Sequence, residues 1–140
     1  GGSGATLGLT IWMAFRAKSE QLGALGKVSL VPGFFNINEP VIFGMPILYN
    51  PIMAIPFIIA PMITATITYV TINIGLVDPI IAQNPWPEPV GLGAFIATAG
   101  DWRSILLALV TVLVAFVIYY PFVKMYDKRL VEEELGNTNE

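Results

Sequence analysis

One carboxylate stands inside a long apolar stretch. Glu39 is the only charge between Lys27 and Asp78. A charge in lipid costs on the order of several kcal/mol, so the default reading of such a residue is functional. A carboxylate there can accept a proton from a sugar hydroxyl, hold a cation or carry a proton. The plainer alternative is a Glu that caps a half-helix. Burial would favour its protonated form unless a partner compensates. Asn36 and Asn38 flank it. Each amide offers donors and an acceptor, as a hydroxyl-rich ligand requires. Each also suits local turn capping. Trp86 lies between Pro85 and Pro87. Its face can pack on a sugar ring, or it can sit in the aromatic belt of a membrane interface. Trp12 and Trp102, close to Arg16 and Arg103, fit the belt. Asp101 and Arg103 are spaced to pair at a loop end.

The surroundings of these residues are those of a membrane protein. Hydrophobic residues make up 55% of the 140 and charged residues only 12%, against about 25% charged in soluble domains. So few charges cannot cover a water-facing surface, and lipid must cover much of the chain. The net charge of -3 comes mostly from Glu132, Glu133, Glu134 and Glu140. No basic patch exists, which argues against nucleic acid as a partner. Without Cys or His, the chain offers no disulfide, thiolate metal site, Cys nucleophile or phosphohistidine. No metal or cofactor is expected. The opening Gly1-Gly2-Ser3-Gly4, with no Met and no signal peptide, reads as a linker or as a cut through a longer protein. Either way the chain is treated as a C-terminal piece.

The elements that must hold Glu39 follow from charge and proline spacing. Residues 5–20 read as the end of a span, passing into a water-exposed loop over 16–27 with Arg16, Lys18, Glu20 and Lys27. No Lys or Arg occurs from Val28 to Trp102. Pro40, Pro46, Pro51, Pro56 and Pro61 each remove a backbone donor, so regular helix is not expected from about Gly33 to Pro51. From Met62 to Val77 a β-branched helix is expected, its Thr hydroxyls bonding back to the backbone. Residues 78–100 read as an irregular substrate-side segment. Ser104–Val123 is uncharged over 20 residues, enough to cross about 30 Å of hydrocarbon. Residues 124–140 read as a tail, with helix continuing over Leu130–Leu135 and Gly136 as a stop.

Basic loops favour the cytoplasmic side. The clusters at 16–27 and 124–129 should therefore share a side, with an even number of crossings between them. Ser104–Val123 supplies one crossing. Residues 51–77 supply the other, and 28–50 must then enter and leave on one face as a re-entrant hairpin. Its broken tip can line a cavity, the setting in which membranes tolerate irregular backbone. The fold class is thus all-α integral membrane: transmembrane helices plus a re-entrant hairpin with a Pro/Asn-rich tip.

The run Gly33-Phe34-Phe35-Asn36-Ile37-Asn38-Glu39-Pro40-Val41-Ile42-Phe43-Gly44 resembles the membrane permease, or IIC, component of bacterial sugar phosphotransferase systems, in the lactose, cellobiose and diacetylchitobiose branch. Gly1-Gly2-Ser3-Gly4-Ala5-Thr6-Leu7, Pro46-Ile47-Leu48-Tyr49-Asn50-Pro51, Asn84-Pro85-Trp86-Pro87 and Ala99-Gly100-Asp101-Trp102-Arg103 extend the resemblance over nearly the whole chain. It implies a ten-helix protomer with two re-entrant hairpins, a homodimer in the bacterial inner membrane, multi-pass, with a cytoplasmic C-terminus. It implies a β-linked disaccharide as substrate and a phosphorylated IIB component as partner, with IIA upstream. Glu39 would sit near the hydroxyl that becomes phosphorylated, and Trp86 would stack on the sugar. Relatives also use a His from another re-entrant segment, which is expected upstream of Gly1. The phosphoryl donor is not in this chain, so it reads as a permease more than an enzyme. The rival class is an ion- or proton-coupled secondary transporter, which also uses a buried Glu and broken helices. A scaffold subunit without substrate is a third.

Overall fold

The computed structural model describes residues 5–83 and 87–139, all helix and connecting segments, with no strand among them. Six α-helices follow in order: α1 Leu7–Arg16, α2 Glu20–Phe34, α3 Glu39–Gly44, α4 Pro51–Asn73, α5 Leu92–Ala97 and α6 Trp102–Thr138, with a 3-10 turn at Ile47–Tyr49 before α4. The longest, α6, spans about 55 Å at 1.5 Å per residue. Its apolar part and α4 are each long enough to cross a bilayer. Both expose large apolar side chains, Ile55, Ile58 and Met62 on α4 and Leu106, Leu113 and Val117 on α6, the surface that lipid would cover.

The water-exposed loop expected over 16–27 is mostly helix. Only residues 17–19 separate α1 from α2. Ser19 caps α2, its Oγ accepting from Leu22 N at 3.3 Å. Gly26 is a packing position. The buried face of α2 is Leu22, Gly26, Ser29 and Gly33, whose steps of four, three and four keep one side of a helix in register. A Cβ on Gly26 would overlap the backbone of Met13 and Ala14. Gly33 lies beside Leu7 and Thr10, so α1 and α2 are antiparallel and close, the small-residue contact common between membrane helices.

Helix α1 runs alongside α6 in the same direction. Gly8 abuts Phe116, and further along Lys18 N reaches the Asp127 carboxylate at 3.1 Å. Helix α4 packs on α6 through a core that includes Met53, Ala60, Ala115, Tyr119 and Val123. It starts at Pro51, where the crossing is expected to begin and where proline is tolerated, and it is regular helix well before Met62. Pro56 and Pro61 stay inside it. Thr64, Thr66, Thr68 and Thr71 return their hydroxyls to its own carbonyls at 2.6–3.2 Å.

The chain between α2 and α4 turns back on itself. Its start, Ser19, is held by Asp127 and Glu134 of α6. Its end, Asn50, lines a cleft with Tyr126 and Arg129 of the same helix. Both ends therefore lie at one end of the bundle. Between them α2 climbs about 22 Å, the chain reverses at 35–38, and α3 returns with Gly44 against Leu25. The segment after α4 closes on α6 as well. The Asp101 carboxylate accepts from Asp78 N at 2.9 Å and from Arg103 N at 3.0 Å, and it pairs with Arg103 Nε at 3.1 Å. Residues 78–100 are less irregular than expected, since α5 forms inside them. The tail is also more ordered, because α6 passes through Gly136 to Thr138.

Two outcomes follow. Gly26→Ala should destabilise the protein by about 1–3 kcal/mol through overpacking. Gly23→Ala, whose Cβ would come no nearer than 4.0 Å to Met13 O, should be neutral or stabilising by up to about 1 kcal/mol. Thermal unfolding in detergent separates the two. Asp101 is held below its ordinary value of 3.8, first by the Asp78 backbone N–H and then by the Arg103 backbone and guanidinium, which together outweigh desolvation. A depressed carboxyl contributes stability above the unfolded value and loses it as pH falls through the folded one. The gap in melting temperature between Asp101→Asn and the unsubstituted protein should be full at neutral pH. It should close as the pH is taken below 3.8.

Candidate functional site

The reversal at 35–38 is a helix C-terminus built for this place. Ile37 N donates to Pro32 O at 2.9 Å and Asn36 N to Gly33 O at 3.1 Å. This nested pair is the Schellman pattern, which needs a left-handed residue just past the cap. Asn36 is that residue, with φ of 64°, a conformation Asn tolerates better than most side chains. Asn38 then begins α3 by accepting Val41 N and Ile42 N at its carbonyl. It is buried, and no side-chain hydrogen bond from it caps the helix.

With its backbone in the turn, the Asn36 side chain is free for another contact. Its Nδ2 donates to Glu88 O at 3.0 Å. Two residues on, Val90 N donates to Phe34 O at 2.9 Å. These bonds dock the 87–91 arm onto the hairpin tip and join the two irregular regions of the sequence. The arm, the tip, α5 and the first half of α6 border an open cavity of about 320 Å³, at the lower end of the range for small-molecule sites. Asn36, Glu88 and Thr111 are its polar side chains, and Gly93, Ala94 and Ala108 are among its small ones. Ala108 and Thr111 lie within the uncharged run 104–123 of α6, some 24–28 Å from Asp127 along the helix. The cavity is thus deep relative to the basic end of the bundle.

The expected site residues divide. Asn36 lines the cavity. Asn38 is buried in the same turn. Glu39 opens α3 and is exposed, and it does not line the cavity. The burial from which a protonated Glu39 was expected is therefore not found in this chain. Trp86 lies outside the described residues, though the arm it leads into reaches the tip. Asp101 and Arg103 do pair, as a structural contact. Trp12 lines a larger, mainly apolar groove of about 650 Å³ between α1 and α6, together with Phe15, Arg16, Phe116 and Tyr120. The Asn and Glu residues of the tip take no part in that groove.

Glu88 was missed as a site residue. It is 8% exposed, with Oε2 buried and without a hydrogen-bond partner among the described residues. The available signal was its rarity. Between Glu39 and Asp101 the sequence has only Asp78 and Glu88 as charges, but it fell within the segment read as irregular.

Residues 1–61 match the sequence model of the family described as Phosphotransferase system, EIIC. The chain is 46% identical over 135 residues to the lichenan permease IIC component of Bacillus subtilis, covering 96% of this chain and 30% of that protein. It is 44% identical to the cellobiose-specific EIIC component of Lactococcus lactis, covering 96% and 27%. It is 39% identical to the lactose-specific EIICB component of Staphylococcus epidermidis, covering 98% and 24%. The crystal structure of the transporter ChbC, the IIC component of the N,N'-diacetylchitobiose-specific phosphotransferase system, matches with a TM-score of 0.92 at 43% identity. That match covers 96% of this chain and 32% of ChbC. The chain therefore spans about a third or less of the length of these relatives. All of them are phosphotransferase components, and the ion-coupled alternative finds no support among them. In sequence and in fold, over nearly its whole length, the chain belongs to the EIIC family of the phosphotransferase system.

Proposed function

We propose that this chain is the C-terminal, sugar-binding part of a IIC permease. The whole protein carries a β-linked disaccharide across the bacterial inner membrane and presents it to a phosphorylated IIB component, itself supplied by IIA. The phosphoryl group passes from that partner to a sugar hydroxyl. The carrying observation is the docking of the 87–91 arm on the hairpin tip, through Asn36 and Phe34. It forms a polar-edged cavity deep between helices whose outer faces are apolar.

The roles follow from chemistry. Asn36 and Asn38 offer amide groups to sugar hydroxyls. Trp86 offers a flat face to the ring. Glu39 polarises the attacking hydroxyl or takes its proton, while transfer itself depends on positioning and charge stabilisation by both partners. The basic residues near Ser19 and those of 124–129 share one end of the bundle, which we assign to the cytoplasm. Residues 28–50 are then re-entrant, α4 and the apolar part of α6 are crossings, and the C-terminus is cytoplasmic. A homodimer is the assembly we assign to the full-length protein.

The test is uptake of labelled disaccharide by the full-length protein, normalised to folded protein. Uptake should yield sugar phosphate and require the phosphoenolpyruvate relay. Glu39→Gln keeps volume but removes the carboxylate, and coupled uptake should fall about a hundredfold or more. Near-normal normalised uptake would remove Glu39 from the chemistry. Asn36→Gly keeps the left-handed turn and removes the amide contact to Glu88 O. It should leave folded yield nearly intact while weakening sugar affinity, measured by equilibrium dialysis. Asn36→Ala should lower both.

A further inference from the structure

The Glu88 carboxylate faces a supply problem. It is 8% exposed, and its Oε2 has no hydrogen-bond partner among the described residues. The other polar side chains of its cavity make no bond to its carboxylate. Thr111 donates its hydroxyl to Ala108 O at 2.8 Å, and Asn36 Nδ2 donates to the Glu88 carbonyl, not to its carboxylate. The remaining wall includes Gly91, Gly93, Ala94 and Ala97, which bring no side-chain donor. No Lys or Arg occurs from Val28 to Trp102, and the nearest cation in sequence, Arg103, is shared between Asp101 and Asp78. A buried acceptor left without a donor is costly. A ligand that brings a donor into the cavity removes that cost.

Cavity shape selects the ligand class. The space is about 320 Å³, far larger than a bare ion, and no group of three or more metal-ligating side chains occurs among the described residues. Small aliphatic walls with one strong acceptor suit a sugar ring that donates a hydroxyl. Glu39 does not line this space. On the reading that the chain binds a disaccharide for phosphorylation, we propose that Glu88 is a second carboxylate of the sugar site. It accepts a hydroxyl distant from the reacting one. It sets affinity and selectivity, and Glu39 serves the transfer.

The experiment uses the purified full-length protein with cellobiose, lactose and diacetylchitobiose, and with the monodeoxy derivatives of whichever binds. Glu88→Gln should weaken binding of the parent sugar about ten- to a hundredfold, the usual range for a hydrogen bond to a charged group. One monodeoxy derivative should bind the unsubstituted protein equally weakly and lose nothing further on Glu88→Gln, since that hydroxyl and that carboxylate are one contact. The loss should also appear as a rise in the sugar concentration needed for half-maximal uptake. Unchanged affinity with an unchanged deoxy profile overturns the proposal. So does affinity that requires an alkali cation and loses that requirement in Glu88→Gln, which would make this an ion site. If Glu88→Gln does not fold, the unsubstituted protein decides. Dicyclohexylcarbodiimide should modify Glu88, read by peptide mass spectrometry, and the bound disaccharide should protect it. Failure to protect overturns the proposal. Phosphorylated uptake with an indifferent Glu88 sinks this assignment alone. No binding of any of the three sugars sinks the sugar reading, and this inference with it.

Discussion

Two carboxylates on α6 determine where the hairpin begins. Asp127 accepts the backbone N–H of Lys18 at 3.1 Å and of Ser19 at 2.8 Å. About two turns on, Glu134 accepts the Ser19 hydroxyl at 2.6 Å and the N–H groups of Glu20 and Gln21 at 3.3 Å. A helix leaves its first N–H groups without internal partners and carries a partial positive charge at that end. The two acids answer both demands for α2. Buried Asp127 gains, in return, the donors that a desolvated carboxylate needs. Since α2 is anchored there, its length sets the depth of the tip. Fifteen residues carry the chain about 22 Å, to the level of Ala108–Val112 on α6, where the cavity forms.

The tip then has to satisfy its own backbone at that depth. The nested bonds from Asn36 and Ile37 use the last carbonyls of α2, and Phe34 O takes Val90 N. Asn36 links both tasks, since its backbone makes the left-handed turn and its amide fixes the incoming arm. That dual use explains why an Asn, and not the usual Gly, suits the place. A Gly would turn as well but would leave the arm one bond short. The close packing of α2 on α1 through Gly26, Ser29 and Gly33 keeps this tip rigid from behind, the condition under which a binding site holds its geometry.

How much of this was legible in the sequence depends on what kind of signal each part leaves. Charge bias pointed to a chain that turns back on itself, because Lys and Arg cluster at 16–27 and 124–129 and leave 28–102 without one. Glu39, Asn36 and Asn38 stood out as polar residues in apolar surroundings. Gly23 and Gly26 misled, because glycine marks both loops and close helix contacts, and only the position of α1 decides between them. Gly136 misled in the other direction, being exposed within a helix whose neighbours are good helix formers. The prolines of α4 suggested regular helix only from Met62, yet helices at membrane depth keep proline more readily than soluble ones. The meeting of the arm with the tip left no local trace. It rests on bonds between residues more than fifty positions apart, and Glu88 became visible only with them.

The two acids near the tip are in different environments, and this separates what each can do. Glu39 opens a short helix, is exposed in this chain and does not line the cavity; in the proposed reading it is the group that meets the reacting hydroxyl. Glu88 is enclosed by small side chains, with an oxygen lacking a donor, so its interaction energy is available to whatever enters the cavity. Transfer requires an approachable group near the bond being made, whereas selection requires a shielded one whose unmet demand penalises the wrong ligand. The two acids stand on segments far apart in sequence, and the bond from the Asn36 amide to Glu88 O joins those segments.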